Sequence, residues 1–203
     1  MREQGAILID LPQHLVKPEI GGSEGVVLFY ELKADLQKYL ATRGDSVPVR
    51  SLKDVIEFNE RNREREMPFF GQEFFLIAET KGPLTDRAYL DALAKCRRFS
   101  RDEGIDAAMN EHRLDAIVAP TEGPPSVIDH VNGDHYVGGC STPAAVVGYP
   151  HITVPAGYVF GLPVGISFFG RPFREAALIK FAFAFEQATK SRRPPSLLPH
   201  ARA

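Results

Sequence analysis

Hydrophobic periodicity changes once along this chain, near Leu114, and that change restricts the fold more than any other feature. Before it, apolar residues recur at helix spacing. Leu28, Leu32, Leu36 and Leu40 return every four residues and predict one striped helix over about Glu24–Ala41, closed by Arg43-Gly44. Ser51, with Asp54 three residues on, opens a second helix through Leu52, Val55 and Ile56. Its charge run Glu60 to Glu66 reads as a solvated face, and Pro68 ends it. A short helix opens at Phe69-Phe70-Gly71-Gln72-Glu73 and stops at Gly82-Pro83. Thr85 is placed to cap a long helix reaching about His112, with Tyr89, Leu90, Leu93, Cys96 and Phe99 inward and Gly104 positioned to break it.

After Leu114 the pattern turns to short apolar runs separated by Gly and Pro. Leu114–Val118, Ile152–Val154 and Gly165–Phe169 read as buried strands, and so does Ala6–Leu11 near the start. Each is apolar on both faces, as strands covered on two sides are. Thr142 reads as an N-cap with Pro143 at the first helical position, and that small-residue helix stops at Gly148. Glu175–Thr189 is a clear amphipathic helix with Leu178, Phe181, Phe185 and Ala188 inward.

Composition removes several function classes. A formal net charge of -2 with both signs scattered gives no basic stripe for nucleic acid. No apolar run is long enough to span a membrane. The apolar stretch Ala6–Leu11 contains Asp10 and runs into Pro12, which is wrong for a signal peptide, so cytoplasm is the default expectation. Two cysteines, Cys96 and Cys140, are too few for a disulfide scaffold.

Three places could carry chemistry. Gly21-Gly22-Ser23-Glu24-Gly25 looks like a nucleophile loop, but no adjacent base or orienting scaffold accompanies it, so it reads as a loop with Ser23 as an N-cap. Residues 119–139 form a long aperiodic loop of the kind that often serves function. His130, Asp134, His135 and Cys140 have metal-ligand side chains, yet their spacing matches no closed zinc pattern, and neither metal nor cofactor is expected. Cys140, placed before a helix start, with His135 as base, is the arrangement a cysteine hydrolase would need.

The order of pieces from Leu114 onward is more specific than any of these. Leu-Asp-Ala-Ile-Val-Ala-Pro-Thr at 114–121 is followed by Ser-Thr-Pro-Ala-Ala-Val-Val-Gly-Tyr-Pro at 141–150 and Ile-Thr-Val-Pro-Ala-Gly at 152–157. Gly-Leu-Pro-Val-Gly-Ile-Ser-Phe-Phe-Gly-Arg-Pro-Phe at 161–173 and Ala-Phe-Glu-Gln-Ala-Thr at 184–189 complete the series. With Leu28–Leu36, Ser51–Ile56 and Phe70-Gly71-Gln72-Glu73, this resembles the C-terminal part of amidase-signature enzymes, in the branch of peptide amidases and the aminoacyl-tRNA amidotransferase A subunit.

The resemblance implies an amidase-signature-type α/β fold, with helices around part of a mixed sheet, of which residues 1–203 are the C-terminal portion of one domain. It implies hydrolysis of C–N amide bonds by a serine–serine–lysine arrangement, in which a neutral lysine draws a proton through a bridging serine and a second serine attacks the carbonyl. That arrangement belongs to the family's upstream half, expected before Met1, so no residue of this chain is expected to be catalytic. Thr121, Asp134, Cys140, Ser141 and Thr142 are the expected substrate-pocket residues. The substrate of the complete enzyme would be a small-molecule or peptide amide. Alternatives are an inactive amidase remnant, a subunit completing another chain, and the Cys140 hydrolase. A chain lacking its partner half is also expected to associate through an exposed sheet edge.

Overall fold

The computed structural model describes residues 1–11, 15–44 and 47–195, in two compact units: residues 15–44 with 47–104, and residues 1–11 with 105–195. Residues 12–14 of the turn-rich stretch that begins at Pro12, and the tail beyond residue 195, lie outside the described residues.

The first unit is helical. Helix α1 (Pro18–Ala41) begins six residues before the expected start, with Lys17 extended at the N-cap and Pro18 at the first helical position. The glycine-rich segment 21–25 is therefore helix rather than loop. Ser23 is not a cap, since its Oγ donates to the Glu19 carbonyl oxygen one turn back at 3.1 Å. Local propensity loses here to packing: Ile20 is fully buried and anchors the first turns. Nothing lies within 4 Å of a Cβ built on Gly21, Gly22 or Gly25, so close approach is not why glycine stands there. Gly22→Ala is accordingly expected to raise stability by about 0.5–1 kcal/mol. The readout is a higher urea midpoint at unchanged slope; a lower midpoint would refute it.

Helices α2 (Leu52–Arg61), α3 (Arg63–Glu66), α4 (Glu73–Glu79) and α5 (Arg87–Cys96) complete the unit. Ser51 caps α2 as its sequence predicts, its Oγ accepting the Asp54 amide at 3.1 Å. The Asp54 carboxylate accepts the Arg50 amide at 2.8 Å, and this bond first, then Ser51, holds its pKa below the usual carboxylate value. Two crossed bonds tie α1 to the start of α5: Tyr30 Oη donates to Asp86 at 3.1 Å and Tyr89 Oη to Glu31 at 2.8 Å, with the rings 5.6 Å apart. Asp86, not Thr85, is the N-cap residue of α5. Lys33 Nζ donates to the Glu79 and Lys81 carbonyls, where the end of α4 leaves its last acceptors free. After α5 the chain continues as a π-helical segment, Arg97–Ile105, and breaks at Gly104 as expected. A Cβ there would come within 2.6 Å of the Phe99 carbonyl oxygen.

The second unit holds a sheet between helices. Helix α6 (Asp106–Glu111) leads to strand β1 (Ile117–Pro120), then the single turn α7 (Thr142–Ala145). Strands β2 (His151–Val159) and β3 (Leu162–Phe169) follow, then helix α8 (Glu175–Thr189). The sheet order is β1-β3-β2 and both pairings are antiparallel, so this portion of the sheet contains no parallel pair among the described residues. A two-residue turn joins β2 to β3. Phe160 and Gly161 both take positive φ, 50° and 80°, as a right-twisted hairpin requires. Pro155 and a bulge before Gly157 sit on β2, which among the described residues pairs on one side only.

Ala6–Leu11 is not a strand. The run is exposed and joins no ladder among the described residues. An apolar run becomes a strand only against the N–H and C=O groups of a neighbour, which periodicity alone does not supply.

Side-chain alternation gives the sheet two faces. Phe168 and Ile166 of β3, with Ile152 and Val154 of β2, pack under α8 through Leu178, Ala182, Phe181 and Phe185. Ala188, expected inward, is exposed one turn beyond this contact. The opposite face carries His151 and Thr153 of β2 beside Phe169 and Ser167 of β3.

Candidate functional site

On that opposite face, three hydroxyls from three segments meet. The chain leaves β1 at Thr121, whose amide donates to the Gly165 carbonyl at 3.0 Å. Its Oγ1 lies 2.6 Å from Thr153 Oγ1 and 2.8 Å from Ser167 Oγ. Ser167 is fully buried, Thr121 half-buried and Thr153 exposed, so the string runs from the interior to the surface. Thr153 Oγ1 also donates to the Ile166 carbonyl oxygen at 3.3 Å. Gly165 makes the approach feasible, because a Cβ there would stand 2.7 Å from Thr121 Oγ1 and 2.8 Å from Thr153 Oγ1.

Beside this string, the Cys140 amide donates to the Thr121 carbonyl at 3.1 Å. Ser141 is the N-cap residue of α7, one position earlier than expected, and Thr142 is its first residue, with Pro143 in the first turn. The Ser141 and Thr142 carbonyls accept from Ala145 and Val146. Gly148 ends the turn in the left-handed region at φ 69°. Four of the five residues singled out from sequence, Thr121, Cys140, Ser141 and Thr142, thus gather where β1 ends and α7 begins.

The fifth, Asp134, has a local task. The 122–139 loop is closed at its base by the Glu122–Gly139 bridge and by Gly123 donating to the Gly138 carbonyl. At its tip, Asp134 Oδ1 accepts the Asp129 amide at 3.0 Å. Asp129 in turn accepts from the Val131 and Asn132 amides at 2.8 and 2.9 Å and from Asn132 Nδ2 at 3.0 Å. The Asn132 amide is the largest cause holding the Asp129 carboxyl below its usual range.

The neighbour of Cys140 differs from the one expected. His151 Nε2, not His135, lies 3.9 Å from Cys140 Sγ, and His135 is exposed on the loop. Burial lowers the His151 pKa, and its ring meets Phe169 edge-on at 5.5 Å. Sequence reasoning missed His151, Thr153 and Ser167. Their signal was strand register: His151 opposes Phe169 and Thr153 opposes Ser167. Among the described residues no group of three or more His, Cys, Asp or Glu side chains could hold a metal ion, and no helix is long and apolar enough to cross a membrane.

Comparison with known proteins agrees with this arrangement of strands and turns. The amidase family model matches residues 7–179. An Arabidopsis thaliana protein named as a probable amidase is 40% identical over 204 residues, which cover 98% of this chain and 36% of that protein. The structure of peptide amidase bound to the competitive inhibitor chymostatin superposes with a TM-score of 0.82 at 44% identity, over 88% of this chain and 36% of that one. The native peptide amidase of Stenotrophomonas maltophilia gives a TM-score of 0.78 at 43% identity, over 87% and 35%. This chain therefore spans about a third of the length of these relatives. The family model covers most of this chain and the solved peptide amidases superpose on 87–88% of it: the chain belongs to the amidase family.

Proposed function

We propose that this chain forms the substrate-pocket side of an amide hydrolase acting on peptide amides, with the serine–serine–lysine arrangement supplied by residues outside it. One observation carries the reading: within a family member, Thr121, Cys140, Ser141 and Thr142 converge where a strand ends and a helical turn begins, the kind of boundary on which binding residues gather. The relatives with structures at 43–44% identity are peptide amidases, which favours a peptide amide over other amides. A second reading, hydrolysis by Cys140 itself, draws on the His151 contact.

Both are tested by joining this chain to the remaining part of the Stenotrophomonas maltophilia peptide amidase in place of the matched region. The fusion is expected to hydrolyse a peptide amide, and Thr142→Leu to lower kcat/KM by about tenfold or more through loss of substrate positioning. The unfused chain is expected to give no turnover. Unchanged kinetics in Thr142→Leu would remove this stretch from the pocket. Turnover by the unfused chain that disappears in Cys140→Ala would establish the cysteine reading instead.

A further inference from the structure

The chain holds two free cysteines, and the structure gives them different surroundings. Cys96 is 1% exposed on the apolar face of α5, where burial first, and then the charges of Glu24 and Glu31, push its thiol pKa up. Its thiolate, the form that reacts, is suppressed. Cys140 is 8% exposed and has an imidazole nitrogen 3.9 Å from its sulfur. Three features fix that contact. The Cys140 amide is tied to the Thr121 carbonyl, His151 lies within β2, and Phe169 holds the His151 ring edge-on. Gly138 and Gly139 immediately precede the cysteine, so the backbone leading to the sulfur carries no side chains.

We propose that Cys140 and His151 form a reactive thiol–imidazole pair, a modification site that captures soft carbon electrophiles of the α,β-unsaturated carbonyl class. The neutral imidazole, with its proton on Nδ1, presents the Nε2 lone pair to the thiol. Burial of His151 favours that neutral form. Nε2 takes the thiol proton, the sulfur electron pair forms a C–S bond at the β-carbon, and the C=C pair moves onto the α-carbon. The α-carbon then receives the proton from Nε2. The whole electrophile is added, nothing leaves and no oxidant is needed. The inference stands independently of amide hydrolysis, because it requires only residues of this chain.

N-ethylmaleimide is the probe. The native chain is pulsed at pH 7, quenched, digested and mapped by mass. Cys140 is expected to gain one maleimide at least about tenfold faster than Cys96, the scale of assistance by a positioned base. In urea the two rates should converge. His151→Phe keeps a ring against Phe169 and removes the base, and it is expected to slow Cys140 by about tenfold without changing Cys96. If that variant loses its cooperative melt, His151→Gln carries the same comparison of the Cys140 rate with and without the imidazole. Equal native rates at the two cysteines, or an unchanged Cys140 rate without the imidazole, would overturn the assignment.

Discussion

Leu178→Ala is expected to lower the stability of the unit containing the sheet by about 2–5 kcal/mol, the range for truncating a buried leucine. Leu178 is 2% exposed and meets Phe168 and Ala182, with Ile152, Val154, Ile166, Phe181 and Phe185 packed around them. Phe168 and Phe185 sit edge to face at 6.0 Å, and rings locked in that way cannot close over a missing isobutyl group. The control is one residue away. Ile179 is 58% exposed, and Ile179→Ala is expected to stay within about 0.5 kcal/mol of the parent. Urea unfolding of the two variants side by side reads the difference. Similar midpoints would show that α8 does not hold this face of the sheet.

The second large effect concerns association. Sedimentation of the isolated chain at micromolar concentration is expected to show dimers or larger species. β1 and β2 each pair with β3 alone among the described residues, so both are edge strands, which invite pairing with another chain. Ile7, Leu8 and Ile9 are exposed in the unit that holds the sheet, and Phe69, Phe70 and Phe74 in the helical unit, so each unit shows apolar surface of its own. Covering ~400 Å² of such surface is worth roughly 10 kcal/mol at about 25 cal/mol per Å², part of which the lost freedom of two chains offsets. A monodisperse monomer with a sharp melt above ~50 °C would sink this expectation and show these residues to be self-sufficient.

What could be read from sequence was what local physics decides. Glu175–Thr189 begins and ends where its period and flanking residues place it, Ser51 caps α2, and Gly104 interrupts the long helix because no side chain fits against the Phe99 carbonyl. The hairpin was legible as two apolar runs around a glycine, although β2 and β3 extend further than Ile152–Val154 and Gly165–Phe169. Decisions made by distant partners were not legible. Three glycines in five residues read as loop until Ile20 is known to be buried, and Ala6–Leu11 reads as a strand until its lack of a pairing neighbour is known. The site divides in the same way. Thr121, Cys140, Ser141 and Thr142 announce themselves by standing at element boundaries. His151 was passed over in favour of His135 because distance along the chain favoured the wrong imidazole, and antiparallel register brings the right one to the sulfur.

The three-hydroxyl string can carry its protons in more than one order. Either oxygen can donate in the Thr121–Thr153 bond and in the Thr121–Ser167 bond, while the Ile166 carbonyl oxygen can only accept. Each hydroxyl has one proton, so the choice made at Thr153 constrains the one at Thr121, and neighbouring bonds polarise one another. Thr153, the exposed member, can thus meet an arriving group as donor or as acceptor.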